Sequence, residues 1–188
     1  MDPADRAQRK YAVGSIVILN TTPPFSLRIH RHIAVQEGRR SQIFTATMEP
    51  GQPNPTTSGT MPLPSPDAPI CVKIFDHDLV DVHDDDVTGT PAELCSHVYF
   101  AESRTYSRLA TLSGVEIPRM FLTSTVGQYH AIVFEYIDQH SLSNYTIQSD
   151  EEMMLLEDMG RSAVEKLHEQ GVYHGDIRAS NIMWSMST

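Results

Sequence analysis

The sequence predicts an α+β chain, and three observations predict it. Gln42–Met48 and Ile70–Phe75 are short runs rich in apolar and β-branched residues, the pattern of strands. Two capping boxes, Thr90-Pro91-Ala92-Glu93 and Ser149-Asp150-Glu151-Glu152, each open a stretch of helical periodicity. Between those helices, Arg119–Thr125 and Tyr129–Ile137 read as a strand pair hinged at Val126-Gly127. The order is therefore strands, helix, two strands, helix and a short polar loop.

Each element follows from its residues. Residues 1–30 carry little pattern, with Val13–Leu19 a candidate strand. Glu49–Pro69 holds seven of the twelve prolines, which remove backbone donors, so an extended loop is expected there. Asp76–Gly89 contains Asp76, Asp78, Asp81, Asp84, Asp85 and Asp86; mutual repulsion of these carboxylates favours a solvated acidic loop. His77 and His83 within it make a divalent-metal site conceivable, although the spacing matches no ligand pattern. In the first helix Thr90 caps, Pro91 takes the first helical position and Glu93 completes the box. Leu94, Val98, Ala101, Thr105, Leu109 and Leu112 then recur at helical spacing until Gly114. The second helix has its apolar stripe at Met153, Leu156, Met159, Ala163, Val164 and Leu167, and Gly171 ends it.

Composition excludes several classes of function. The 188 residues are 40% hydrophobic and 20% charged, enough to bury a core. A net charge of −10, with no basic patch, disfavours binding to a nucleic-acid backbone. The longest apolar runs, such as Ile16–Leu19 and Ala131–Phe134, fall far short of the roughly 20 residues that span a membrane. The N-terminus is too polar for a secretory signal, and Cys71 and Cys95 are too few for a disulfide framework. The expectation is a soluble, intracellular protein, cytoplasmic or nuclear, that binds neither nucleic acid nor membrane.

The segment most informative about chemistry is His174-Gly175-Asp176-Ile177-Arg178-Ala179-Ser180-Asn181. It follows a helix, places Asp and Asn five apart and puts a cation two residues after the Asp. It resembles the catalytic loop H-x-D-x-x-x-x-N of the protein-kinase superfamily. The resemblance implies that Asp176 accepts or orients the substrate hydroxyl proton, that Asn181 holds Mg²⁺, and that Arg178 neutralises charge on the transferring phosphoryl group. On its own the octapeptide also reads as a polar turn after a helix.

Further segments supply the other parts of that pattern in the same order. Ile70-Cys71-Val72-Lys73 resembles the strand motif V-A-I-K, with Cys71 in place of the alanine, and makes Lys73 the partner of ATP phosphates. Glu102, in the helix Phe100-Ala101-Glu102-Ser103-Arg104-Thr105-Tyr106, becomes the ion-pair partner of Lys73. Gln36-Glu37-Gly38-Arg39-Arg40-Ser41 aligns with the glycine-rich phosphate loop, in which only Gly38 is retained and Gln36 and Ser41 stand at the outer positions. Ile132–Ile137 resembles the strand leading to the hinge: backbone groups of Glu135, Tyr136 and Ile137 face adenine, and Phe134 is the bulky residue behind it.

The resemblance runs from about Ile33 to Ser185 and points to a divergent, fungal-type branch of the superfamily. It implies a bilobal kinase-like fold with ATP and Mg²⁺ as cofactors. The organisation expected is an N-terminal extension over residues 1–32, a small lobe over 33–137 and the start of a large lobe over 138–188. Only seven residues follow Asn181, whereas an Asp-Phe-Gly motif after a further hairpin requires about 12 positions. No Asp-Phe-Gly occurs in the sequence, so a truncated domain with negligible phosphotransfer of its own is expected, its Asp150–Gln170 helix exposing an apolar face. Three functions stay open: a protein kinase acting on Ser or Thr hydroxyls, a small-molecule phosphotransferase of the aminoglycoside-phosphotransferase type, and a non-catalytic, pseudokinase-like binding module.

Overall fold

The computed structural model describes residues 10–34, 41–52, 62–80, 89–138, 141–175 and 177–183. Six strands form one antiparallel sheet: β1 (Ile16–Leu19), β2 (Phe25–Ala34), β3 (Gln42–Met48), β4 (Ile70–Phe75), β5 (Met120–Val126) and β6 (Tyr129–Glu135), in the spatial order β1-β2-β3-β4-β6-β5. Helix α1 (Pro91–Arg108) is inserted between β4 and β5, and α2 (Asp150–Glu169) follows β6. The sheet curls until its two edges meet. Asn20, just past β1, donates its backbone N–H to the Thr125 carbonyl at 2.9 Å and its side-chain amide to Thr125 Oγ1 at 2.9 Å.

Strand alternation sends side chains into two separate cores. Ile70, Val72 and Ile74 of β4 face the inside of the curl, with Phe25, Leu27, Ile29, Phe44 and Val133. Phe75, with Cys71 packed alongside, faces α1 and joins Cys95, Tyr99, Ile132 and Phe134. Lys73 shares the α1-facing side of β4, and that placement matters for the site.

Among the described residues ahead of 33, β1 and most of β2 are part of this sheet. The expected boundary between 32 and 33 falls inside β2, whose apolar alternation (Phe25, Leu27, Ile29) continues into His30-Arg31-His32. Register shifts on β2 between Ile29 and Arg31 and between His32 and Ala34 break the period-2 pattern there, so it is faint in the sequence.

The acidic segment also departs from expectation at its start. Asp76 is not solvated; it is 1% exposed. Its carboxylate accepts from the Tyr11 hydroxyl at 2.5 Å, pairs with the Lys10 ammonium at 2.7 Å and accepts from the Asp78 N–H at 3.0 Å. That last bond caps a short 3₁₀ turn, His77–Leu79, which buries Leu79. Three partners satisfy the carboxylate, so burial no longer carries the desolvation cost of a lone charge. Burial works against the charge on Lys10, but Asp76, Tyr129 and Asp78 outweigh it and hold its pKa above the ordinary value. The rest of the acidic loop, residues 81–88, lies outside the described residues, as do residues 53–61 of the proline-rich segment.

The first capping box forms as read, whereas at α2 only the Ser149 half does, the Glu152 carboxylate taking the Gln148 N–H at 2.6 Å instead of the Ser149 N–H. The Thr90 hydroxyl accepts from the Glu93 N–H, and the Glu93 carboxylate takes the Thr90 N–H at 2.8 Å, which holds that carboxyl below its usual range. Ser149 caps α2 through the Glu152 N–H at 3.2 Å. Of the stripe expected on α2, Leu156 and Leu167 are buried, whereas Met153 and Met159 are 41% and 47% exposed.

Gly171 closes α2 at φ +67°, with its N–H on the His168 carbonyl at 2.8 Å and the Val172 N–H on the Leu167 carbonyl at 3.0 Å. An L side chain is strained at that φ, and a Cβ would displace the Arg108 guanidinium. Gly171→Ala is expected to cost about 1–2 kcal/mol in urea unfolding. An unchanged midpoint would show that the cap carries no stability.

Candidate functional site

The site is built around the ladder between β4 and β6. Lys73 leaves β4 on the α1 side, and about three turns of α1 bring Glu102 opposite it. The Lys73 ammonium donates to Glu102 Oε2 at 2.6 Å, with 19% and 20% of the two side chains exposed. The pair is therefore sheltered but open to solvent on one side, the condition an ammonium needs to meet an incoming anion without desolvating it fully. The ammonium also lies 5.3 Å from the centre of the Phe75 ring.

Around the pair, apolar groups make a dry wall. Cys71 stands directly across from Phe134 in the β4–β6 register. Burial, opposed by Lys73 and reinforced by Glu102, pushes the Cys71 thiol up to about 12, so it stays protonated and acts as an apolar wall rather than a nucleophile. Tyr106 packs on Phe134 with ring centroids 4.6 Å apart. Burial and the Glu102 and Cys71 fields hold the Tyr106 phenol well above its ordinary pKa, so it too is neutral. Tyr106 was not singled out from the sequence, yet its spacing of four residues from Glu102 places both on one helix face.

The strand running from Phe134 ends in Glu135, and residues 136–138 continue without regular structure. The Glu135 side chain turns away from Lys73 and pairs with Arg119 at 3.3 Å. Its backbone N–H is taken by the Arg119 carbonyl at 2.8 Å. Ile137 makes no backbone–backbone hydrogen bond among the described residues. An open cleft of about 680 Å³, lined by Pro62, Pro64, Pro69, Arg119, Phe121 and Tyr136, touches this segment but not Lys73 or Glu102. The cleft and the ion pair are therefore separate features of the described residues.

The remaining candidates lie on two connections. Ser41 immediately precedes β3 and is half-buried; Gly38, with the rest of 35–40, lies outside the described residues on the β2–β3 connection. After α2, Gly175 adopts φ +67°, and Arg178 precedes a 3₁₀ turn, Ala179–Asn181, whose last residue, Asn181, donates its N–H to the Arg178 carbonyl at 2.8 Å. The Leu142 N–H on the Ile182 carbonyl at 2.8 Å ties this segment to the stretch preceding α2. Asp176 lies outside the described residues. Among the described candidates, the structure brings Lys73 and Glu102 into direct contact and engages Glu135 elsewhere. No group of three or more His, Cys, Asp or Glu side chains is placed to hold a metal among the described residues.

A curled antiparallel sheet, an inserted helix whose carboxylate meets a strand lysine, and a second helix leading to a polar loop together define a protein-kinase-like fold: the β-rich lobe with the beginning of the helical lobe. Solved structures agree. The chain is similar to the Mycobacterium tuberculosis PknI kinase domain in a single-mutant form (TM-score 0.55, 13% identity, 92% of this chain and 57% of that one). It is similarly close to a double-mutant form of the same domain (TM-score 0.57, 13% identity, 94% and 59%). The chain thus spans under two thirds of the length of these domains, and at this identity the likeness is one of fold. No protein-family model and no curated protein matches the sequence. No described helix is long and apolar enough to cross a membrane.

Proposed function

We infer that this chain is the nucleotide-binding portion of an ATP-dependent protein kinase domain, one that directs the γ-phosphoryl group to Ser or Thr hydroxyls. The observation that carries this reading is the Lys73–Glu102 pair at 2.6 Å, formed between a strand and a helix 29 residues apart within a kinase-like sheet. The residues fit ATP in three respects. Glu102 fixes an ammonium that retains free donors for phosphate oxygens. Cys71 and Phe134 present a neutral, apolar surface for a purine ring beside it. The Ile137 backbone is available for hydrogen bonding among the described residues.

In this reading Lys73 orients the phosphates, and Glu102 keeps the ammonium from swinging into solvent. Asp176 receives the hydroxyl proton, Arg178 balances developing charge, and Asn181 is the residue for Mg²⁺. Bound ATP supplies the phosphoryl group. The Asp-Phe-Gly carboxylate that the kinase resemblance assigns to Mg²⁺ does not occur in the 188 residues. Phosphotransfer by the 188-residue chain is therefore expected to be negligible even though nucleotide binds.

Titrating the purified chain with ATP and Mg²⁺ in a thermal-shift assay tests this reading. Stabilisation that saturates, with no label transferred to protein from radiolabelled ATP, is the expected result. Absence of stabilisation overturns nucleotide binding. Robust transfer abolished by Asp176→Asn overturns the expected inactivity.

A further inference from the structure

Outside the ion pair, Tyr11, in a stretch of the sequence with no recognisable motif, is tied to several strands at once. Only 3% of it is exposed. Its hydroxyl donates to Asp76 at 2.5 Å, three residues beyond Lys73 on the same length of chain. Its carbonyl accepts from His32 Nε2 at 2.7 Å, near the end of β2. Its ring lies 5.1 Å from that of Phe44 on β3, and His32 meets the same Phe44 ring edge-on at 4.9 Å. The neighbouring Lys10 ammonium pairs with Asp76, sits 3.3 Å from Asp78 and lies 3.9 Å over the Tyr129 ring at the start of β6. The Tyr129 hydroxyl donates in turn to Asp78.

These contacts reach every strand that feeds the proposed nucleotide site. β2 and β3 are the two stems of the connection that carries Gly38 and Ser41. β4 carries Lys73 and ends one residue before Asp76. β6 runs from Tyr129 to the Phe134–Glu135 end. Asp76 caps, and Asp78 lies within, the 3₁₀ turn on the path from β4 to α1, the helix holding Glu102. One dipeptide therefore fixes the phosphate-loop stems, the lysine strand and the approach to the glutamate helix relative to one another.

We propose that Lys10 and Tyr11 form a latch that positions the nucleotide site from the end of the sheet where β4 leads into Asp76, with Tyr11 as a positioning residue acting through Asp76 and His32. This rests on the nucleotide reading above and adds to it a coupling between the N-terminal segment and the site. Because coupling free energies are reciprocal, nucleotide must tighten the latch to the degree that the latch tightens nucleotide binding.

Tyr11→Phe keeps the ring on Phe44 and the carbonyl on His32 while removing the bond to Asp76. Isothermal titration of the full chain with the non-hydrolysable analogue AMP-PNP and Mg²⁺, below the unfolding temperature of every variant, should show a Kd raised about fivefold or more by Tyr11→Phe. Lys10→Met should weaken binding likewise, and Lys10→Arg should largely restore it. Hydrogen exchange of the wild-type chain supplies a test that needs no variant: amides of residues 10–15 should exchange more slowly with AMP-PNP bound. A merely structural Tyr11 would lower the unfolding temperature and leave Kd and the nucleotide-dependent protection unmoved, which overturns the latch while wild-type binding stands. No binding by the wild-type chain overturns the nucleotide reading itself, and the latch with it.

Discussion

Asp76→Ala is expected to lower the stability of the chain by about 3–5 kcal/mol, because it leaves a buried hydroxyl and a sheltered ammonium without their shared acceptor. Asp76 is 1% exposed and is the meeting point of Tyr11, Lys10 and the Asp78 N–H. Asp76→Asn should cost less, since an amide oxygen can still accept from the Asp78 N–H, but it cannot balance the Lys10 charge. The loss has a defined dependence on pH. The Lys10 pKa is raised in the folded protein, so its share of the stability is complete below the ordinary value of 10.5 and disappears as pH rises through the folded value. The wild-type advantage over Asp76→Ala should therefore be level near neutrality and shrink above about pH 10.5. Urea unfolding across that range checks both the size and the sign. A cost under about 1 kcal/mol at pH 7 would mean that the network is dispensable.

Lys73→Met is expected to weaken nucleotide binding by roughly 10- to 100-fold, the worth of about 1.5–3 kcal/mol for a hydrogen bond to a charged group. Methionine keeps the length of the stem and its contact with Phe75 but removes the ammonium that Glu102 holds at 2.6 Å. Glu102→Gln should produce a smaller loss, since the ammonium remains but is no longer fixed by charge. In a double-mutant cycle the two effects should fall well short of additivity, because each substitution removes the same arrangement. Additive losses would place Lys73 and Glu102 in separate roles.

Much of the site was legible because its parts sit on regular elements. The lysine lies on a strand with clear β-branched character, and the glutamate lies on a helix announced by a complete capping box. That the two should meet came from the resemblance to the kinase pattern, not from spacing along those elements. Tyr106, four residues from Glu102, could have been found by helical arithmetic. The latch was not legible for a physical reason. Asp76 opens a run of carboxylates that repel one another in sequence, and nothing local distinguishes the one that gains three partners on folding. Two of those partners, Lys10 and Tyr11, come from about 65 residues away, where no periodicity marks the chain as structural. The strand β2 was obscured in the same way, its alternation broken by register shifts and interleaved with Arg28, His30, Arg31 and His32. The exposed methionines of α2 show the converse limit: an apolar stripe states which face can be buried, not whether anything described covers it.

The most direct test of a nucleotide site at Lys73 is covalent labelling with an acyl-phosphate derivative of ATP, which transfers its acyl group to a lysine amine beside the bound phosphates and releases ATP. Peptide mass spectrometry should find the acyl group on Lys73, and excess ATP with Mg²⁺ should suppress it. Labelling spread over Lys10 and Lys166, unaffected by ATP and absent from Lys73, would contradict the assignment.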